Sequence, residues 1–121
     1  MKWRIYKMYI EFNVGEKTYK LRLTTKGAIQ LERALGYNPI SMLLDMDNGV
    51  MPKLGDMITI LHATLQPLNH GISMDDACDI YDNYIATGKT MFDLIPVFVE
   101  VFQESGFIAK DKGQKETDEK N

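Results

Sequence analysis

Residues Met8–Gly36, MYIEFNVGEKTYKLRLTTKGAIQLERALG, are the stretch that decides the fold. The first half alternates apolar and polar residues around a central glycine, which is typical of a β-hairpin. The second half repeats apolar residues three and four positions apart, which is typical of an amphipathic helix. A lone hairpin is only marginally stable in water, so its apolar face must be covered by helices or by other subunits.

The turn of this hairpin sets its register. Gly15-Glu16 suits a two-residue type II′ turn, because glycine at the first central position tolerates a positive φ. The inward pairs are then Phe12 with Tyr19, Ile10 with Leu21, and Met8 with Leu23. The outward pairs are Asn13 with Thr18, Glu11 with Lys20, and Tyr9 with Arg22. One register sorts both faces by polarity, which predicts a half-buried hairpin.

About five helices are predicted after the hairpin. Thr24 or Thr25 is the expected N-cap of the first, and Gly36 fits the left-handed position that ends it. The others are predicted at about 39–47, 54–66, 73–88 and 90–106. The fold class is therefore α+β, an N-terminal antiparallel β-hairpin followed by about five α-helices. Residues 1–108 are expected to form a single domain, and the charged residues 109–121 a disordered tail.

Apolar faces are predicted on the later helices. The third is expected to bury Leu54, Met57, Ile58, Leu61 and Leu65, and the fourth Ala77, Cys78 and Tyr81 with Tyr84 or Ile85. From Leu94 to Phe102 the last helix is apolar almost all round, so it is either central to the fold or half of an interface. Because of Pro96, this helix either starts near Asp93 or is kinked.

Composition limits the class of protein. The 121 residues are 45% hydrophobic and 26% charged, as is ordinary for a soluble globular domain. A net charge of −3 argues against nucleic acid, and a single cysteine excludes an internal disulfide. The longest apolar run, Leu94 to Val99, is too short to span a bilayer, and residues 1–7 do not resemble a signal peptide. A cytoplasmic protein is expected.

No constellation of residues predicts catalysis. His62 and His70 lack acidic or cysteine neighbours at metal-ligand spacing, and zinc needs about four such ligands. Cys78 is expected to be a buried, neutral and therefore inert thiol. The spacing of Asp45, Asp47 and Gly49 fails the pattern of a calcium loop. The sequence therefore predicts a protein that is not an enzyme and has no cofactor, metal or small-molecule substrate.

A helix-turn-helix at residues 25–48 is the alternative hypothesis. Two helices there flank a Gly-Tyr-Asn-Pro turn, and the second would have to enter the major groove. That second helix is short, apolar and acidic at Asp45 and Asp47, so DNA phosphates would repel it. A small regulatory or DNA-binding protein is therefore the weaker of the two functional interpretations.

Methionines are concentrated in the middle of the chain. The sequence contains eight, and Met42, Met46, Met51 and Met57 lie in one segment. They either fill an irregular core or form an adaptable apolar surface for partner helices.

The sequence resembles the tail assembly chaperones of long-tailed bacteriophages (siphoviruses) and gene transfer agents. The resemblance covers roughly residues 8–108 and rests on three segments. They are the hairpin YIEFNVGEKTYKLRLT, the helix end LERALGYNP followed by ISMLL, and FDLIPVFVEVFQESGF near the end. These segments are patterns of apolar positions and turn glycines without an invariant catalytic group.

The resemblance implies a non-virion assembly factor in the host bacterial cytoplasm. Such chaperones bind the phage tape measure protein, keep it soluble and help to recruit tail tube protein. They self-associate and often have a longer form made by frameshifting, of which this chain would be the shorter form. The residues expected to contact partners are Met42, Met46, Met57, Leu94, Phe98 and Phe102.

Overall fold

A two-stranded hairpin and five helices form the part of the chain that the computed structural model describes, residues 8–45 and 51–110. The strands are β1 (Ile10–Val14) and β2 (Lys17–Leu21). The helices are α1 (Thr25–Leu35), α2 (Pro39–Leu44), α3 (Leu54–Leu65), α4 (Met74–Ala86) and α5 (Leu94–Glu104). Short 3-10 turns at Gln66–Leu68 and Met91–Asp93 follow α3 and precede α5. The predicted α+β class, an N-terminal hairpin followed by five helices, is confirmed.

The hairpin has the predicted register across both strands. Phe12 lies opposite Tyr19, Ile10 opposite Leu21 and Glu11 opposite Lys20. Gly15 has a φ of 63°, and Met8 is the only described non-glycine residue with a positive φ. Glu16 therefore has a negative φ, which is the type II′ combination and excludes type I′.

The predicted pair of Met8 with Leu23 does not extend the ladder. Met8 has a φ of 59° and is 37% exposed, so it turns the chain before β1 begins at Ile10. Leu23 is buried, but its N–H donates to Ser105 Oγ at 3.0 Å, just after α5. On the outer face, Lys20 Nζ lies 5.1 Å from the centre of the Tyr9 ring.

The free edge of β2 is closed by the end of α3. The Arg22 N–H donates to the Thr64 carbonyl at 2.8 Å. The Asn69 side-chain amide donates to the Lys20 carbonyl at 2.9 Å and to the Leu65 carbonyl at 2.8 Å. These bonds satisfy main-chain groups at the edge of the hairpin and at the helix C-terminus together.

Asn69→Ala is expected to destabilise the fold by about 1–2 kcal/mol, because it removes two hydrogen bonds that join the hairpin edge to the end of α3. Asn83→Ala is the matched control, since Asn83 is an exposed residue of α4. Urea unfolding of both variants measures the difference. Equal stability of the two variants would contradict the bridging role of Asn69.

The core lies between the hairpin and α5, with α3 through its centre. It includes Phe12, which packs against Tyr84 with ring centroids 4.9 Å apart. The fully buried side chains include Leu21, Met57, Ile60, Leu61, Thr64, Leu65, Leu94, Phe98, Val101 and Phe102. The sequence left open whether α5 is central to the fold or half of an interface, and the structure places it at the centre of the fold.

Several predicted helix faces and ends are corrected. Leu54 was expected inside but is 52% exposed, because it is the first residue of α3. Cys78 is exposed, because the buried face of α4 is centred on Ala77, Ile80 and Tyr84. The second helix ends at Leu44, three residues before the predicted end.

Helix starts agree better with the sequence. Thr24 caps α1, and Thr90 and Asp93 form a capping box in the turn before α5. Helix α5 begins at Leu94, so the interpretation that it starts near Asp93 is the correct one. Of the predicted tail, Ala109 and Lys110 are described, and Lys110 Nζ lies 3.1 Å from a Glu104 carboxylate oxygen. The rest of the tail and residues 1–7 lie outside the described residues.

Candidate functional site

An open groove of about 410 Å³ lies between α2 and the segment that leads into α3. Most of its lining surface is apolar. One wall consists of Tyr37, Asn38, Ser41, Met42 and Asp45, and the other of Met51, Pro52, Lys53 and Asp56. A concave, mainly apolar surface with a few polar groups is the usual form of a binding site.

Local sequence signals place the α2 wall. Gly36 ends α1 in the left-handed conformation, with a φ of 82°, and so redirects the chain. The Asn38 side chain then caps α2 by accepting from the Ile40 N–H at 2.9 Å. Pro39 occupies the first position of the helix and is buried. Because Leu43 also points into the core, Ser41, Met42 and Asp45 are left to face the groove.

A hydrogen bond joins the two walls. The Tyr37 hydroxyl donates to the Asp56 carboxylate at 2.8 Å. Burial raises the pKa of the Tyr37 phenol to about 12, and the bond to Asp56 and the nearby negative charge act in the same direction. The phenol therefore stays protonated and keeps donating throughout the physiological pH range.

Tyr37→Phe is expected to lower the free energy of unfolding by about 1 kcal/mol at neutral pH. The folded pKa of about 12 lies above the ordinary value of 10.0. The contribution of Tyr37 is therefore complete below pH 10 and is lost as the pH rises toward 12. Denaturant unfolding of both proteins should show a stability difference that narrows over this alkaline range. A difference independent of pH would contradict the assigned bond.

The family of the chain follows from comparison with known sequences. A profile described as a family of unknown function, DUF6096, matches residues 5–121. The chain belongs to DUF6096. No curated protein and no solved structure matches it. The family description carries no activity, so functional argument about this DUF6096 chain rests on its residues and geometry.

The structure separates the residues that the sequence predicted as partner contacts. Met42 is half-buried and lines the groove. Met57, Leu94, Phe98 and Phe102 have no exposed surface. A side chain without exposed surface is not accessible to a partner of the folded chain, so these four residues are core residues here. Met46 lies outside the described residues.

Groove residues missing from that prediction include Tyr37, Pro52 and Asp56. Tyr37 and Asp56 are 19 positions apart, and neither belongs to a periodic pattern. The one sequence signal for this site was the position of Tyr37, an aromatic residue between the helix-ending Gly36 and Pro39. Met51 belonged to the predicted methionine segment and lines the groove with 61% of its surface exposed.

The geometry of α2 gives no support to the helix-turn-helix hypothesis. The helix has six residues, and two of them, Pro39 and Leu43, are buried. Its sequence, PISMLL, offers no basic side chain to a phosphate, and Asp45 follows it directly. A recognition helix needs several exposed side chains that reach base edges and phosphates, and the one exposed polar side chain of α2 is Ser41.

Within residues 8–45 and 51–110, neither histidine belongs to a group of side chains placed to hold a metal ion. His62 Nε2 lies 3.1 Å from the Ile72 carbonyl, and His70 is exposed. In the same ranges, no group of three His, Cys, Asp or Glu side chains is placed to hold a metal ion. None of the described helices is long and apolar enough to cross a membrane.

Proposed function

We propose that this DUF6096 chain is a non-enzymatic tail assembly chaperone of a long-tailed bacteriophage. It binds the phage tape measure protein, keeps it soluble and helps tail tube assembly in the host bacterial cytoplasm. It acts as a homo-oligomer and is absent from the mature virion. The observation that carries the proposal is the open apolar groove between α2 and α3, together with the sequence resemblance.

The groove has the chemistry expected of a surface for helical clients. Met42 and Met51 present flexible, polarizable side chains that adapt to clients of varied sequence. An amphipathic helix binds such a surface with apolar side chains spaced three, four and seven positions apart. A tape measure protein is long and helical, so it offers many segments of this pattern.

Two exposed apolar residues are sequence neighbours of groove residues. Leu44 is 56% exposed and precedes the groove residue Asp45. Leu54 is 52% exposed and follows the groove residue Lys53. Both residues therefore leave apolar surface in water close in sequence to the groove, and apolar surface left in water is a feature of interaction sites when it is contiguous.

Co-expression with the tape measure protein of the same phage tests the proposal. Without a chaperone, the apolar stripes of that client are expected to drive it into the insoluble fraction. With this chain, the client is expected to be soluble and to co-purify. An unrelated soluble protein of similar size is the control. A client that is equally insoluble with both proteins would contradict the proposed function.

A further inference from the structure

The two edges of the hairpin differ in their main-chain hydrogen bonding. Because the turn has two residues, Val14 and Lys17 form a pair whose main-chain groups bond to each other. Along an antiparallel hairpin, hydrogen-bonded pairs alternate with non-hydrogen-bonded pairs, so Glu11 and Asn13 belong to non-hydrogen-bonded pairs. The N–H and C=O groups of Glu11 and Asn13 therefore point away from β2. The outward bonds of Lys20 and Arg22 on the opposite edge follow the same alternation.

The β1 edge, defined here by the outward groups of Glu11 and Asn13, is open within the described part of the chain. No hydrogen bond to those main-chain groups is found among these residues, and both side chains are exposed. A cleft of about 240 Å³ lies between the start of β1 and Glu100 and Glu104 of α5. The strand, IEFNV, contains no proline, lysine or bulge, and Glu11 is its one charged residue.

We infer that the β1 edge pairs with the β1 edge of a second copy of this chain, in an antiparallel four-stranded sheet centred on Phe12. This register places Glu11 opposite Asn13 of the second copy, twice over by symmetry. It also keeps both apolar strand faces on one side of the sheet, where the helices lie.

Side chains at the edge are complementary in this register. The Thr18 hydroxyl donates to Asn13 Oδ1 at 2.8 Å, which directs the other end of the amide, the Nδ2 group, away from that bond. Nδ2 is a donor, and the Glu11 carboxylate of the second copy is an acceptor. The neighbouring register, centred on Glu11, would instead place two carboxylates opposite each other and is disfavoured.

Disulfide trapping tests both the edge and the register. Glu11→Cys and Asn13→Cys are made separately in full-length chain carrying Cys78→Ser, which removes the exposed native thiol. Directly opposite Cα atoms in a hydrogen-bonded pair are about 5.5 Å apart, within disulfide range, whereas diagonal neighbours are about 7–8 Å apart. A covalent dimer is therefore expected from the mixture of the two variants and from neither alone.

Thr18→Cys and Lys20→Cys are the matched control pair, at the equivalent positions of β2. Their mixture is expected to remain uncrosslinked. The inference would be overturned by dimers from Glu11→Cys alone, by crosslinking of the control pair, or by absence of crosslinking in the first mixture.

Sedimentation of proline variants gives a second readout. Asn13→Pro removes an outward N–H and leaves the ladder within the hairpin intact, since proline is tolerated at a strand edge. The unmodified chain is expected to sediment as a dimer of the 13.9 kDa chain, and Asn13→Pro as a monomer. Thr18→Pro, on the other edge, is expected to remain a dimer. The inference would be overturned if the unmodified chain sedimented as a monomer. This outcome includes the case in which the β1 edge binds a client and not a second copy.

Discussion

Phe98→Ala is expected to cost about 3–5 kcal/mol of stability, the usual effect of truncating a buried aromatic residue. Phe98 is fully buried on α5, among the residues that cover the hairpin and α3. Because a domain of this size has only about 5–15 kcal/mol to lose, the variant is expected to be partly unfolded or to melt far below the unmodified chain. Urea unfolding followed by circular dichroism measures the loss.

Phe92→Ala is the matched control for that measurement. Phe92 lies in the turn before α5 and is 49% exposed. Its truncation is expected to change stability by no more than about 0.5 kcal/mol. If Phe98 were instead a partner contact with no part in the core, Phe98→Ala would be as stable as Phe92→Ala, and the assignment of α5 to the core would be contradicted.

If the proposed function holds, Met51→Asp is expected to abolish solubilisation of the tape measure protein while leaving the variant itself folded. Met51 is 61% exposed, so the substitution buries no charge in the free chain. In the complex, the new carboxylate would lie in an apolar groove beside Asp45 and Asp56, where removing it from water is unfavourable. Co-expression measures the soluble fraction of the client, and urea unfolding checks the fold.

Met74→Asp is the control for this loss. Met74 is 40% exposed at the start of α4 and is not part of the groove. An acid in the first turn of a helix is compatible with the helix dipole, so this variant is expected to fold and to keep the client soluble. Equal loss of client solubility in the two variants would show that the groove is not the binding surface.

The hairpin could be predicted in detail because its determinants are local. Gly15 fixes the turn, and alternation about it places Phe12 opposite Tyr19 without reference to the rest of the chain. The prediction failed at Met8. The alternation of apolar and polar side chains continues to this residue, but its left-handed backbone does not continue the strand. The Thr24 cap of α1 was predictable for the same local reason.

Burial and the groove could not be predicted as well, because both depend on tertiary contacts. Leu54 and Cys78 satisfy a helical apolar period, yet both side chains are exposed. The apolar residues of α5 are equally compatible with a core helix and an interface helix from sequence alone. Tyr37 and Asp56 come together because α1 packs on α3. This packing places the turn after α1, which contains Tyr37, beside the first turn of α3, which contains Asp56.

Photo-crosslinking from position 51 tests whether the α2–α3 groove binds the client. A photoreactive amino acid replaces Met51 in one variant and Met74 in another, and each is co-expressed with the tape measure protein. A covalent adduct with the client is expected from position 51 and none from position 74. Adducts from position 74 only, or none from either position while the client remains soluble, would contradict binding in the groove.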